Sequence, residues 1–223
     1  MAKSTSDLKL PIQITEIRIQ KKNPNRFSLF NEKNFLIGVS SQTLADFSIQ
    51  KGVMLTPSLF NQIEQAENYN AAKEAAFRYL GRRDHASFEI RQKLKKKGFN
   101  DDVINSLLDE LSDKDFLNDE NFSIKFITEK SELNRWGQKK IESELYKKGI
   151  HQKTIQETLN SFFDNLSQDQ ICLDLVIKRK RHFLREEDPY KRKMKIYNYL
   201  AGRGFTSSDI KKAMPKIAVE LDV

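Results

Sequence analysis

The chain has one cysteine, three histidines, one tryptophan, five prolines and eight glycines in 223 residues, and each shortage excludes something. Cys172 alone cannot form an internal disulfide and leaves no thiolate set for zinc, so a reducing cytoplasm is the expected setting. His85, His151 and His182 lie far apart, with no carboxylate or cysteine at ligand spacing, and no metal site is expected. No apolar run approaches the roughly 20 residues that span a bilayer. The opening MAKSTSDLKL lacks the long apolar core of a secretion signal. Stretches of the G-x-S-x-G, Walker A and G-x-G-x-x-G kinds are missing, and nothing pairs a nucleophile with a base; neither an enzyme nor a cofactor is expected. The acidic Asp113–Asp119 has neither the glycine nor the closing glutamate of a calcium loop. It reads instead as a turn in which Asn118 or Asp119 caps the helix carrying Phe122, Phe126 and Ile127.

What is present is a repeat. Ile90, Leu94, Gly98, Phe99, Ile104 and Leu108 stand in the same register as Ile141, Leu145, Gly149, Ile150, Ile155 and Leu159. Ile196, Leu200, Gly204, Phe205, Ile210 and Met214 follow the same spacing, with the glycines 51 and then 55 residues apart. One supersecondary unit is used three times. Its apolar pair four residues apart lies on one helical face, and the glycine four later supplies the left-handed backbone that ends a helix. The hydrophobic residue after it and a polar quartet that starts a second helix complete the pattern. A further helix fills out each period. Such a unit buries little alone, so the three are expected to pack on one another.

The N-terminal part reads differently. Residues 1–11 look like a disordered tail. From Ile12 the apolar period is two, with a phase slip at Thr15-Glu16 suited to a bulge. A turn is expected over Lys21–Arg26, signalled by Asn23-Pro24-Asn25, and a hairpin around Asn31–Asn34. Thr56-Pro57 starts a helix with a potential break near Asn68–Asn70. In the third repeat, Ser167-Gln168-Asp169 opens a helix broken at Glu186–Pro189, and the residues after Pro215 are expected to fray or to form a short cap. The expected fold is mainly α: three tandem three-helix repeats in an elongated array, with a small N-terminal β-hairpin extension. The segments are 1–11 (tail), 12–56 (hairpin), 57–111, 112–165 and 166–223 (repeats one to three).

Lys and Arg number 39 against 31 Asp and Glu, a net charge of +8, which favours a polyanionic partner: nucleic acid, a nucleoprotein or an acidic protein face. The cations cluster by repeat. The candidate contact residues are Arg82, Arg83, Arg91, Lys93, Lys95 and Lys96 in the first and Arg135, Lys139 and Lys140 in the second. In the third they are Lys178, Arg179, Lys180, Arg181, Lys191, Arg192, Lys193 and Lys195, with Arg185 nearby. Lys97, Lys148 and Arg203 precede the three glycines, where complementing the helix dipole explains a cation as well as binding does. The dipole does not explain Lys178–Arg181 or Lys191–Lys195, although a solvated face would. Phosphate contact without base reading is the expected mode. Trp136, beside Arg135 and Lys139, reads as a buried knob or as a stacking surface, and Tyr79, Tyr146 and Tyr199 as half-buried packing.

With these motifs in view, the chain resembles the RecX family of bacterial regulatory proteins. Phe77-Arg78-Tyr79-Leu80-Gly81-Arg82-Arg83, the run Glu89–Phe99 and the run Gly137–Ile150 are similar to that family's signatures. The acidic linker at Leu117–Glu120 is similar too, and the leading ITEIRIQKKNPNRFSLF resembles the hairpin extension of some members. Two departures are local: Ala86 replaces the usual capping serine before Glu89, and Asn31–Asn34 replaces an Asp-Gly turn. The resemblance implies a cytoplasmic, non-enzymatic modulator that binds the RecA–DNA filament. It implies a role in DNA repair, recombination and the SOS response, with inhibition of RecA's recombinase and ATPase activity as the expected direction. The implied partners are the RecA filament and the phosphate backbone of single- or double-stranded DNA, read without sequence specificity, with no membrane and a monomeric chain. The alternative is a stand-alone helical nucleic-acid-binding protein with no recombinase partner.

Overall fold

The computed structural model describes residues 8–164 and 166–221. They form two compact units: one holds the described residues up to Arg78 together with Leu94–Leu107, the other Tyr79–Lys93 with the residues from Leu108 onward.

In the first unit, β1 (Ile12–Gln13), β2 (Glu16–Gln20), β3 (Asn23–Asn31), β4 (Asn34–Ser40), α1 (Ser41–Asp46), β5 (Met54–Leu55) and α2 (Pro57–Leu80) follow in order. Strands β2, β3 and β4 make one antiparallel sheet and β1 pairs with β5 in another, so the N-terminal part is more than a hairpin. The period of two accounts for the register. Ile17 pairs with Leu29 and Leu29 with Ile37, placing one apolar face inward. Leu29, Ile37, Val39, Ile14 and Leu55 bury this face against Phe60 and Ile63 of α2. The Glu67 carboxylate ties the helix to the sheet, accepting from the Ser40 N–H at 2.6 Å, the Thr43 hydroxyl at 2.6 Å and Arg26 at 2.8 Å.

Several expectations need correction here. The phase slip at Thr15-Glu16 is where the chain leaves one sheet for the other. The turn expected over Lys21–Arg26 shrinks to Lys21-Lys22, and β3 begins at Asn23. Pro24 fits because the pairing shifts between Ile19 and Gln20, so no ladder bond there needs its missing N–H. The hairpin at Asn31–Asn34 is present, with Glu32 at φ 54 in place of glycine. Helix α2 runs through Asn68–Asn70 without a break. The tail expected over 1–11 lies outside the described residues as far as residue 7; beyond it, Leu8 and Leu10 pack on the core.

The remaining helices are α3 (Ser87–Lys95), α4 (Asp101–Asp113), α5 (Asp119–Glu132), α6 (Gln138–Lys147), α7 (Gln152–Phe163), α8 (Gln168–Ile177), α9 (Lys180–Phe183), α10 (Pro189–Gly202) and α11 (Ser207–Leu221). The chain is mainly helical and carries three three-helix repeats. Every apolar residue of the repeated pattern is buried except Phe99 and Met214, which are half-buried. Leu and Ile side chains of this kind stabilise by about 1.5–3 kcal/mol each. One core joins α5, α6 and α7, and a separate one joins α8 to α11. Helix α11 continues through Pro215 and buries Ile217 and Leu221, so residues 216–221 are neither frayed nor a short cap. The helix expected to last until Glu186 stops at Ile177, and the basic block occupies the break before α9.

All three repeated glycines are left-handed, with φ of 89, 76 and 93° at Gly98, Gly149 and Gly204. The two bonds of a Schellman turn recur at each. Phe99 N–H donates to Leu94 C=O, Ile150 to Leu145 and Phe205 to Leu200, while the glycine N–H bonds one residue further on. The later two turns also join repeats. In repeat three's turn, Arg203 C=O accepts from Gly137 N–H at 2.9 Å and Gly204 C=O from Lys139 N–H at 2.9 Å. Helix α6, whose first residues these are, has no side-chain cap of its own; the next repeat supplies it. Helix α3 likewise follows Ala86, which cannot cap, and its Ser87 N–H donates to Asp119 Oδ1 of repeat two at 2.8 Å. A methyl added at Gly137 would collide with the backbone of Gly204 and Phe205, one at Gly204 with Lys140, and one at Gly149 with Phe88.

These neighbours rank the glycines by cost. Gly98→Ala, which meets no atom within 4 Å, should cost about 1–2 kcal/mol from left-handed strain alone. Gly137→Ala, at an ordinary φ, should cost about 1–3 kcal/mol from crowding alone. Gly204→Ala should carry both costs and be the most damaging. Urea melts followed by Trp136 fluorescence, adjacent to the joint, measure the order.

Candidate partner and nucleic-acid interface

The cations named from the sequence separate into those that hold the fold and those that face solvent. Arg192 is the clearest correction. It is buried, and its guanidinium donates to the carbonyls of Glu186 at 2.8 Å, Leu221 at 3.0 Å and Glu187 at 3.3 Å. It closes the loop before α10 onto the end of α11 and is a strut, not a phosphate contact. In register with the other repeats it stands where they have Ala86 and Gly137. Asp188 caps α10 itself, accepting from Tyr190 N–H at 2.8 Å and Lys191 N–H at 3.1 Å.

In the first repeat, Arg83 holds Glu89 in a two-armed pair at 3.1 and 3.2 Å. Lys148, from the turn of repeat two, reaches the same carboxylate at 3.0 Å, and Ala86 N–H donates to it at 3.2 Å. Glu89 thus retains its half of a capping box with alanine at the cap. Burial pushes its pKa up, but the hydrogen bonds from Arg83, Lys148 and the Ala86 N–H outweigh this and hold it at about 2. Of the three cations before the repeat glycines, two join repeats: Lys148 through Glu89, and Arg203 by donating to Asn134 C=O at 2.9 Å. Lys97 is exposed.

The other candidates divide similarly. Lys93 lies 4.6 Å over the Tyr79 ring, and Lys140 4.4 Å over Trp136, which is half-buried against the core of repeat two. Lys95 pairs with Asp101 at 2.8 Å, and Arg91 is half-buried and engaged. Arg82, Lys96, Arg135 and Lys139 are exposed, Arg135 with a left-handed backbone at φ 52. Tyr79 and Tyr199 are half-buried, whereas Tyr146 is 67% exposed.

Among the candidate cations of the described residues, those of the third repeat are brought together around one pocket. Helix α8 ends at Ile177, and the break before α9 turns Lys178, Arg179, Lys180 and Arg181 around an open pocket of about 830 Å³. His182 and Arg185 complete its wall. Lys180 reaches Glu220 at 3.8 Å, and Arg179 stacks on Tyr199 at 5.1 Å. Lys178, Arg181 and Arg185 form no ion pair among the described residues. Lys191, Lys193 and Lys195 lie on α10, the first two exposed. Cationic side chains converging with this little acidic compensation suit an anion such as a phosphodiester. The block was legible in the sequence; that a helix break would gather it was not, because the apolar spacing continues from Val176 to Phe183. No group of His, Cys, Asp and Glu that could hold a metal occurs among the described residues. The one thiol, Cys172, is pushed up to about 12 by burial.

Two measurements test this division. Glu89 binds its proton less readily folded than unfolded, so its contribution is complete above about pH 4.5 and is lost as pH falls toward about 2. Acid unfolding of Glu89→Gln should lack that limb, while the two proteins keep a constant stability difference from pH 6 to 8. Arg192→Met should lower stability by about 2–4 kcal/mol by stranding buried carbonyls, whereas Lys191→Ala and Lys193→Ala should stay within about 0.5 kcal/mol of the parent.

Comparison with known proteins agrees with this architecture. The RecX N-terminal domain matches residues 12–56, and the first, second and third three-helix domains of RecX match 72–111, 118–159 and 167–214. Regulatory protein RecX of Clostridium beijerinckii is 30% identical over 215 residues, covering 94% of this chain and 98% of that protein. The Listeria monocytogenes RecX is 27% identical, covering 95% and 78%. A crystal structure of a regulatory protein RecX superposes with a TM-score of 0.76 at 22% identity, covering 91% of this chain and 98% of that one. RecX from Lactobacillus salivarius gives 0.64 at 23% identity, covering 69% and 99%. No helix among the described residues is long and apolar enough to cross a membrane. With matches to all four domains and a relative aligned nearly end to end, the chain belongs to the RecX family of non-enzymatic regulatory proteins.

Proposed function

We propose that this protein regulates RecA by binding the RecA–DNA filament, and that it lowers RecA's recombinase and ATPase activity in DNA repair and recombination. Family membership supports the choice of partner, and the open cationic pocket at the α8–α9 break is the observation that carries the mode of contact. Lys178, Arg181 and Arg185 have no acidic partner among the described residues, so a phosphate backbone relieves their mutual repulsion. Lys191 and Lys193 on α10 add exposed positive charge within the same repeat. Nothing in the pocket is arranged to read base edges; it meets phosphate, in single- or double-stranded DNA. The chain acts as a monomer in the cytoplasm.

RecA's DNA-dependent ATPase provides the test. A regulator of the filament suppresses it at ratios well below one per RecA, whereas a protein that only coats DNA acts at ratios that cover the strand. No effect at any ratio would defeat the proposal. Replacing Lys178, Arg179 and Arg181 together with Ala should weaken binding to single-stranded DNA. It should also lower the slope of log K against log salt by about 2, because each phosphate no longer neutralised subtracts about 0.7. An unchanged slope would remove this pocket from the interface.

A further inference from the structure

The third repeat carries a second surface unlike the first. Between α10 and α11 runs a groove of about 560 Å³ floored by Tyr190, Met194, Tyr197 and Met214 and edged by Lys193 and Lys211. Tyr190, Met194 and Tyr197 are spaced i, i+4, i+7, one stripe along the helix. Tyr190 is 73% and Met194 43% exposed, large apolar groups left facing water. Pro215, in the wall, lacks the N–H that a helix would aim at Lys211 C=O, so this stretch of α11 leaves a carbonyl acceptor beside the groove.

The repeats themselves supply the control. In register, Tyr190 stands where the other two have Asp84 and Arg135, Tyr197 where they have Arg91 and Glu142, and Pro215 where they have Asp109 and Asn160. At these three positions repeats one and two are charged or amide-bearing, whereas Met194 stands where they have Phe88 and Lys139, and Met214 where they have Leu108 and Leu159. Tyr197 and Met214 also pack on the third repeat's own core, whereas Tyr190 and Met194 are exposed, so the core accounts for the floor of the groove but not for its outer apolar pair.

We infer that the α10–α11 groove docks an acidic amphipathic helix of a protein partner, with apolar side chains against the tyrosines and methionines and Asp or Glu against Lys193 and Lys211. A helix in a groove recognises by anchors at i, i+3, i+4 and i+7, the stripe found here, and methionine lets such a surface adapt to its ligand. Charge selects the occupant. Lys193 and Lys211 are exposed and form no ion pair among the described residues, and Lys191 and Lys212 are exposed on the same two helices. A second copy of this chain, at +8, would bring further positive charge. The groove is separate from the pocket at the α8–α9 break and shares no lining residue with it.

The test uses the full chain, without RecA or DNA, titrated into a fluorescein-labelled peptide. The peptide is a helix of about 16 residues with Leu and Phe at i, i+3, i+4 and i+7 and Asp or Glu elsewhere. Anisotropy should show saturable one-to-one binding with a Kd of about 1–50 μM, falling in affinity as salt rises. Tyr190→Ala with Met194→Ala should weaken it by about tenfold or more without changing the melting temperature, since both side chains are exposed. Lys193→Glu with Lys211→Glu should do likewise, and should gain binding to a peptide with the same apolar face flanked by Lys. The inference falls if the Lys-flanked peptide binds the parent as tightly, if neither double variant changes the Kd, or if no binding is seen below about 1 mM. It also falls if the Tyr190/Met194 variant loses oligothymidylate binding or self-association instead, outcomes that would assign the groove to a nucleic-acid strand or to a second copy. Because RecA is absent from every arm, failure here is distinct from failure of the filament proposal.

Discussion

A helix beginning without a capping side chain leaves backbone N–H groups that must find acceptors elsewhere, and in this protein the next repeat supplies them. Ala86 and Gly137 stand at the starts of α3 and α6, where serine or aspartate would satisfy those groups locally. Their partners come instead from Asp119 and from the turn at Arg203-Gly204. Burial stabilises each repeat's interior, but it is non-directional. The backbone bonds, together with the absence of a Cβ at Gly137 and Gly204, fix which turn meets which helix start. Lys148 and Arg203 then anchor the joint by charge and by a carbonyl.

This sorts the basic residues by what the fold demands of them. A cation at a joint has a buried or half-buried acceptor, as Arg192 and Lys148 do, and its loss strands that acceptor. At the α8–α9 break Lys178, Arg181 and Arg185 form no ion pair among the described residues, and their loss changes chiefly the field outside the molecule. The net charge of +8 therefore overstates the binding surface, since part of it belongs to the repeats' own connections. The charge that remains is concentrated in the third repeat, the one whose helix start is capped by its own Asp188.

Much of this was readable in the chain. Six positions recurring at fixed spacing specify both helix faces and the left-handed glycine between them, because periodicity and φ > 0 are local properties. The Asn118 cap was equally local, and its side chain accepts from Asn121 N–H at 2.9 Å. Where the reading failed, the cause lay in tertiary structure. Pro24 looked like a turn because a register shift in the neighbouring strand cannot be seen in its own sequence. Pro215 looked like a terminus, but Ile217 and Leu221 beyond it have a core to enter, which outweighs the cost of proline in a helix. Arg192 looked like its neighbours Lys191 and Lys193; three carbonyls brought together by folding make it different. The basic block was visible as composition, but its convergence depended on a helix ending earlier than its apolar spacing suggests.

Arg192 and Asp188 have one more consequence, for which helix starts can receive a neighbouring turn. The Asp188 carboxylate occupies donors of α10 like those that α6 offers to the Arg203-Gly204 turn, and the Arg192 side chain stands at the position where Gly137 lets that turn approach. One helix design thus presents two open joints, at α3 and α6, and one sealed by its own side chains, at α10.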